Sequence, residues 1–376
     1  MLRVSNEAEL TPEAREYLKS ESVELMTYTL ELHYDYWLAD DILKAIFPEE
    51  LCKDSPTGFA VTGHIAHLNL TEAYLPYKYI IGQVILDKNK TIKTVVNKLN
   101  TINTEFRFFK MELIAGEQDY VVEHHESDCR FIFDFSQVYW NSRLQAEHKR
   151  VVQLFEPGDV VADVFAGVGP FAIPAARNGC AVFANDLNPI GTKYLRLNVE
   201  KNRVKDLVKV TCQDGRNFIR EVTARSLKEL FPLRATRLSL RQQRLERKDL
   251  KIAMQILALK NTNPTVLPRP RIDHFVMNLP DSAINFLDAF RGIMSPASLG
   301  RDVSAIYNVM PMVHCYCFTR ELEYDKAEVD IRKRVEEQLG YPLVDEVDIH
   351  MVRSVAPFKD MYCISFRLPR IVAFEK

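Results

Sequence analysis

The sequence predicts an α/β fold, Rossmann-like in its carboxyl-terminal part and preceded by a smaller α+β domain and a short N-terminal module. Three observations predict it. From about Ser136 onward, strand-length apolar runs alternate regularly with helix-length amphipathic ones. The first of these strands, Val160-Val-Ala-Asp163, opens into the glycine-rich turn Asp163-Val-Phe-Ala-Gly-Val-Gly-Pro-Phe171. The next ends in Asn185-Asp186, where an acidic side chain is placed to accept hydrogen bonds from ribose hydroxyls.

Taken in order, the chain begins with a polar helical stretch from Thr11 to Leu18. Tyr28 to Tyr34 alternates like a strand, and Asp40 to Phe47 has helical spacing. These residues form a module over 1–56. The α+β middle domain, 57–135, reads as a strand at 58–61, helices at 76–85 and 94–99, and strands at 106–113, 120–125 and 129–135. The Rossmann-like domain, 136–376, then runs helix 144–154, strand 160–165, helix 170–177, strand 181–185, helix 190–201, strand 207–211, helix 215–222 and strand 273–277. A basic insertion over 222–270 interrupts it. It carries Arg225, Lys228, Arg234, Arg237, Arg241, Arg244, Arg247, Lys248 and Lys251, and Pro264, Pro268 and Pro270 close it. Charge runs usually cover solvated surface; the other reading is a counter-charge for a phosphate backbone.

The glycine turn points to an adenosine-containing cofactor. Gly167 and Gly169 let the backbone leave the strand and approach a ligand, and Pro170 suits the first turn of the following helix. Gly167-x-Gly169-x-x-Ala172 also satisfies the looser dinucleotide fingerprint, so the turn alone admits either a nicotinamide dinucleotide or S-adenosylmethionine. His274-Phe-Val-Met-Asn278-Leu-Pro280 favours the second. A buried strand ending in Asn and Pro completes a pocket for a methyl donor, and dinucleotide enzymes have no need of it. Cys212-Gln-Asp214-Gly215 supplies a further acidic strand end between the two.

Bulk properties bound the partners. A net charge of −2 excludes a globally basic nucleic-acid binder, so a polyanion must meet a local positive face. Seven cysteines without a Cys-x-x-Cys pair read as reduced thiols of an intracellular protein. The expected site is the cytosol, with nucleus and mitochondrial matrix left open. There is no 18-residue apolar run, so no membrane span is indicated. His64 and His67 suggest no metal site, because no further ligands accompany them and sulfonium chemistry needs no Lewis acid. Trp140, Phe106, Phe108 and Phe109 read as core more than as stacking platforms.

A second constellation, Tyr139-Trp-Asn-Ser-Arg143-Leu-Gln-Ala-Glu147-His148, precedes the glycine-turn strand. Arg143 and Glu147 stand four apart on one helical face, which fits an ordinary ion pair. Because this helix leads into that strand, it can also overhang the cofactor and offer Glu147 as a base.

The runs Gly63-His-Ile-Ala-His-Leu-Asn-Leu70, Val138-Tyr-Trp-Asn-Ser-Arg-Leu144, Glu147-His148, Asp163 to Pro174, Phe183-Ala-Asn-Asp-Leu-Asn-Pro189, Val276-Met-Asn-Leu-Pro280 and Val313-His-Cys-Tyr316 closely resemble the eukaryotic tRNA (guanine-37-N1)-methyltransferases. The resemblance runs from about Tyr34 to Pro369; a shorter N-terminal region and the basic insertion depart from it. It implies a class I methyltransferase domain, S-adenosyl-L-methionine as cofactor, tRNA as partner, and a monomer that extrudes guanosine 37 into its pocket. It implies Glu147 as general base, Arg107 as the cation beside the developing guanine anion, and Asn278 at the guanine edge. Tyr139 and Arg143 would shape the target pocket. Phe165, Gly167, Val168, Gly169, His148, Asp186, Leu187, Asp214, Gly215, Asn278 and Pro280 would hold the cofactor. A wybutosine-pathway aminocarboxypropyltransferase on the same fold is the alternative.

Overall fold

The computed structural model describes residues 7–24, 26, 29–52, 56, 58–102, 106, 108–229, 231–232, 266–267, 269–344 and 346–375. Arg107 lies outside these, as do Pro264, Pro268 and the basic residues Arg234, Arg237, Arg241, Arg244, Arg247, Lys248 and Lys251. The chain divides into two compact units, Met1–Thr57 and Gly58–Lys376.

The first unit holds α1 (Pro12–Ser20), started by Thr11, whose hydroxyl accepts from the Ala14 amide, and α2 (Ala39–Ile46). The strand expected over 28–34 is not formed among its described residues. Residues 29–33 are irregular, and Tyr34–Tyr36 is a 3₁₀ turn. Alternation alone cannot make a strand without a neighbouring strand to pair with.

The second unit begins with a four-stranded sheet of β1 (Ala60–Thr62), β2 (Ile65–Leu68), β3 (Thr94–Ile102) and β4 (Phe109–Gly116). β2 and β3 are parallel and joined through α3 (Lys78–Lys88). The helix expected at 94–99 is therefore a strand. Thr94, Val95 and Val96 are β-branched, and pairing on both sides, with β2 and with β4, overrides any helical spacing. A hairpin follows, β5 (Val121–Glu126) and β6 (Cys129–Asp134).

The seven-stranded sheet contains β7 (Val160–Asp163), β8 (Ala181–Asp186), β9 (Val208–Cys212), β10 (His274–Met277), β11 (Met312–Thr319), β12 (Val347–Ala356) and β13 (Lys359–Arg367). Its order is β12-β13-β11-β10-β7-β8-β9, with β13 antiparallel to both its neighbours and the five strands from β11 to β9 parallel. Among the helices are α4 (Gln145–Val152), α5 (Ala172–Arg177), α6 (Pro189–Lys201), α7 (Gly215–Ser226) and α8 (Tyr324–Leu339). One core cluster, with Val160, Ala162, Phe183, Phe275, Met277 and Cys315, lies on the face covered by α7 and α8. The other, with Val151, Val161, Val182, Val276 and Tyr316, lies beneath α4, α5 and α6 and continues into Phe131, Phe133 and Trp140. Trp140 is thus core. Asn198 of α6 and Asn202, which caps its carboxyl end, bind the β6 backbone at Ile132 and Arg130, so the hairpin is fastened to the larger sheet. The chain changes direction across the sheet between β7 and β10, and a crevice at the carboxyl ends of the strands opens there.

Candidate active site

Strand parity selects the residues that meet at this crevice. Val161 and Val276 face the cluster under α4, so Asp163 and Asn278, two positions further along each strand, face the same way. Tyr316, in the same cluster, follows Cys315, which pairs with Met277, and so stands level with Asn278. Three polar side chains from adjacent parallel strands therefore converge on one face.

The glycine turn is built as its composition demands. Gly167 and Gly169 have φ of 54° and 103°. A Cβ on Gly169 would stand 2.8 Å from both Ile173 and Leu195. Asp186 holds the turn in place, with Oδ2 accepting from the Gly167 amide at 2.8 Å and Oδ1 from the Asn188 amide at 2.8 Å. Burial raises its pKa, against the pull of those two amides. Leu187 beside it is 44 % exposed and offers an apolar surface to a ring. Asp214 caps α7, accepting from the Arg216 amide at 2.9 Å. Gly215 leaves room for Phe165, whose ring a Cβ there would approach to 2.8 Å, and Phe165 in turn meets Phe286 edge-on. Val168 is buried behind the turn, and Pro280 accepts from the Phe318 amide, fixing the segment after Asn278. Phe165, Gly167, Val168, Gly169, Asp186, Leu187, Asp214 and Gly215 thus sit at the carboxyl ends of β7, β8 and β9 or in the turns that follow them.

This end of the sheet retains hydrogen-bonding capacity. Among the described residues, both carboxylate oxygens of Asp163 and Oδ1 of Asn278 are buried without a hydrogen-bond partner. Burial, followed by the charge of Asp186, holds the Asp163 carboxyl well above the ordinary range, and the nearby amides of Ala172 and Phe165 offset this only in part. Unpartnered acceptors beside an adenosine-type turn fit a cofactor that carries an ammonium and a sulfonium. They do not suit a pyrophosphate.

Glu147, on α4, is buried on the same face. Its Oε1 accepts from the Tyr316 hydroxyl at 2.9 Å, and Arg150 grips both oxygens at 2.7 Å each. His350 Nε2 stands 3.6 Å from Oε2. The i,i+4 pair with Arg143 is not made. Arg143 precedes α4 in a 3₁₀ turn capped by Asn141 and is exposed, whereas Arg150, three residues after Glu147, shares its face. His148 is buried beside it, Nδ1 at 2.6 Å from Glu126 Oε1, with its ring edge-on to Phe171 just past the glycine turn. Tyr139 is 44 % exposed at the entrance to this helix.

Sequence reasoning missed Tyr316, Arg150 and Lys98. The Lys98 ammonium sits 4.5 Å from the Phe109 ring centroid and 5.6 Å from that of Phe135. Burial, then the neighbouring Arg143 charge, lowers its pKa. Treating 94–99 as helix hid it. His64 and His67 are satisfied locally, His64 by the Asp119 carbonyl at 3.1 Å and His67 by the Thr62 hydroxyl at 3.3 Å. No group of three or more His, Cys, Asp or Glu converges to hold a metal among the described residues. No helix among them is long and apolar enough to cross a membrane.

The strand order and the adenosine-type turn define a class I methyltransferase that uses S-adenosylmethionine. A family model described as the TRM5/TYW2 methyltransferase domain matches residues 122–231, and one described as the TYW2 N-terminal domain matches 39–119. The chain is 57% identical to the tRNA (guanine(37)-N(1))-methyltransferase of Coprinopsis cinerea, covering 100% of this chain and 82% of that protein. It is 47% identical to that of Schizosaccharomyces pombe, covering 96% and 79%. Trm5b from Pyrococcus abyssi superposes with a TM-score of 0.59 at 27% identity, covering 85% of this chain and 78% of that one. An aTrm5 in complex with tRNALeu shares the fold, with a TM-score of 0.62 at 21% identity over 94% and 86%. The chain belongs to the tRNA (guanine(37)-N(1))-methyltransferase family.

Proposed function

We propose that the chain methylates N1 of the guanosine 3′ of the anticodon in tRNA, with Glu147 as general base. The observation that carries this is the buried Glu147 carboxylate, bound to Tyr316 on the face of the sheet to which Asp163 and Asn278 also point. S-adenosylmethionine supplies a methyl group on a sulfonium, whose carbon–sulfur bond breaks as the bond to N1 forms.

The protein's residues handle the rest. N1 of guanine bears a proton at neutral pH, and Glu147 takes it on Oε2, which carries one hydrogen bond, from Arg150. The electron pair left on the ring spreads to O6, and Arg107 is the cation assigned to oppose it. Tyr139 and Arg143 border the entering base and Asn278 holds its edge. Asp163, the glycine turn, Asp186 and Asp214 orient the donor.

A second reading has one observation in its favour, the match of 39–119 to a TYW2 N-terminal domain. On that reading the aminocarboxypropyl group moves instead of the methyl. Incubating unmodified tRNA with cofactor labelled on either the methyl or the carboxyl carbon decides between them. Methyl label in 1-methylguanosine supports the proposal, and carboxyl label in the tRNA overturns it.

A further inference from the structure

Apart from the candidate cofactor site, a cleft of about 840 Å³ opens between α4, the tip of the β5–β6 hairpin and the carboxyl ends of α5 and α6. Lys149, Arg177, Lys201 and Arg203 line it, and Asp128 is the one carboxylate among its lining residues. Lys149 and Lys201 are exposed and Arg177 is half-buried. Among the described residues, none of these three forms an ion pair.

Helix dipoles explain part of the pattern, because Arg177 and Lys201 stand in the last turns of α5 and α6, where a cation is favourable. Lys149 stands in the last turn of α4 in the same way; what the dipoles do not explain is why three helix ends and Arg203, past the end of α6 at φ 59°, converge around one cleft. The walls are fixed beforehand: Asn202 accepts from the Arg130 amide at 2.9 Å and donates to its carbonyl at 2.7 Å, tying the hairpin to α6. In a chain of net charge −2, four cations facing one carboxylate form a local positive field.

We propose that this cleft holds the phosphodiester backbone of the tRNA substrate. The inference rests on the reading given under Proposed function. α4 links the two sites, since Glu147 and Lys149 are two residues apart and so point to opposite sides of one helix. From Gln145 to Gln153 the cleft follows roughly 12 Å of helix at the usual rise per residue, room for more than one phosphate. Contacts of this kind position the RNA without reading its sequence.

The test replaces Lys149, Arg177 and Lys201 together by Gln in the full chain and measures tRNA affinity from low to moderate salt. Loss of three phosphate contacts should lower the slope of log affinity against log salt by about 2 to 3, and low-salt affinity by at least tenfold. Cofactor affinity and the rate at saturating tRNA should stay within twofold. An unchanged slope overturns the proposal, and so does an affinity loss of equal size at every salt concentration. If the triple variant also loses cofactor, Lys149→Gln alone decides, with an expected slope change of about 0.7 to 0.9 and an unchanged slope again overturning the proposal. Failure of the underlying reading would look different, because wild-type enzyme would then bind tRNA and yield no 1-methylguanosine.

Discussion

Lowering the pH should destabilise the larger unit through His314. This imidazole is 1 % exposed, with Nδ1 2.8 Å from the Ser365 hydroxyl and Nε2 3.1 Å from His274 Nδ1, and His274 in turn reaches Asp159 at 3.2 Å. Burial, then the neighbouring His274 and Arg150, pushes its pKa down from 6.5 to about 3. The unfolded chain therefore binds a proton below pH 6.5 that the folded chain refuses until about pH 3. Stability from this group is complete above 6.5 and is lost progressively as pH falls toward 3. Each pH unit inside that window costs about 1.4 kcal/mol, so between pH 7.5 and 5.0 His314 alone should remove about 2 kcal/mol. Urea unfolding followed through the buried Trp140 measures it, comparing wild type with His314→Gln at both pH values. The variant, although less stable at pH 7.5, should lose about 2 kcal/mol less on acidification. Equal losses in the two proteins would refute the reasoning.

Two further outcomes follow from the site. Tyr316→Phe removes the hydroxyl that holds Glu147 Oε1, a bond to a charged group worth about 1.5–3 kcal/mol. Single-turnover methylation should slow roughly 10- to 150-fold while the affinities for cofactor and tRNA stay within twofold; an unchanged rate would remove Tyr316 from any positioning role. Asp163→Asn should raise the melting temperature of the cofactor-free protein. A carboxyl whose folded pKa lies above its unfolded one loses stability as pH rises through that interval, so at neutral pH its charge is a net cost. The same change should weaken S-adenosylmethionine binding at least tenfold by calorimetry. A lower melting temperature without cofactor would contradict the account.

The glycine-turn half of the candidate site was legible as local structure because it is sequential. Asp163 to Phe171, Asp186 and Asp214-Gly215 each sit at a strand end or in the turn after it, where composition and local geometry coincide. The acceptor half was less so, because it is assembled by pairing between strands. Lys98 lies on β3, whose strand identity depends on neighbours on both sides rather than on its own spacing. Tyr316 reaches Glu147 across 169 positions of chain, a contact fixed by the register of β11 beside β10. Within α4 itself, spacing allowed Glu147 either Arg143 or Arg150, and the 3₁₀ turn at Ser142–Leu144 withdraws Arg143 from the helical repeat.

The two halves also differ in how far their hydrogen-bonding capacity is used. Asp163 and Asn278 have acceptors to spare, and an unpartnered buried group costs about 1–3 kcal/mol. A cationic donor molecule offsets that cost without displacing any protein contact. Glu147 is the opposite case, since Arg150 and Tyr316 already occupy its oxygens. A carboxylate offers about four lone-pair sites and these contacts use three, so a guanine N1 proton has the remaining one, on Oε2, to approach. Tyr316 and Arg150 therefore fix the orientation of the carboxylate while that one site stays able to accept, which suits a base whose proton donor arrives only with the substrate.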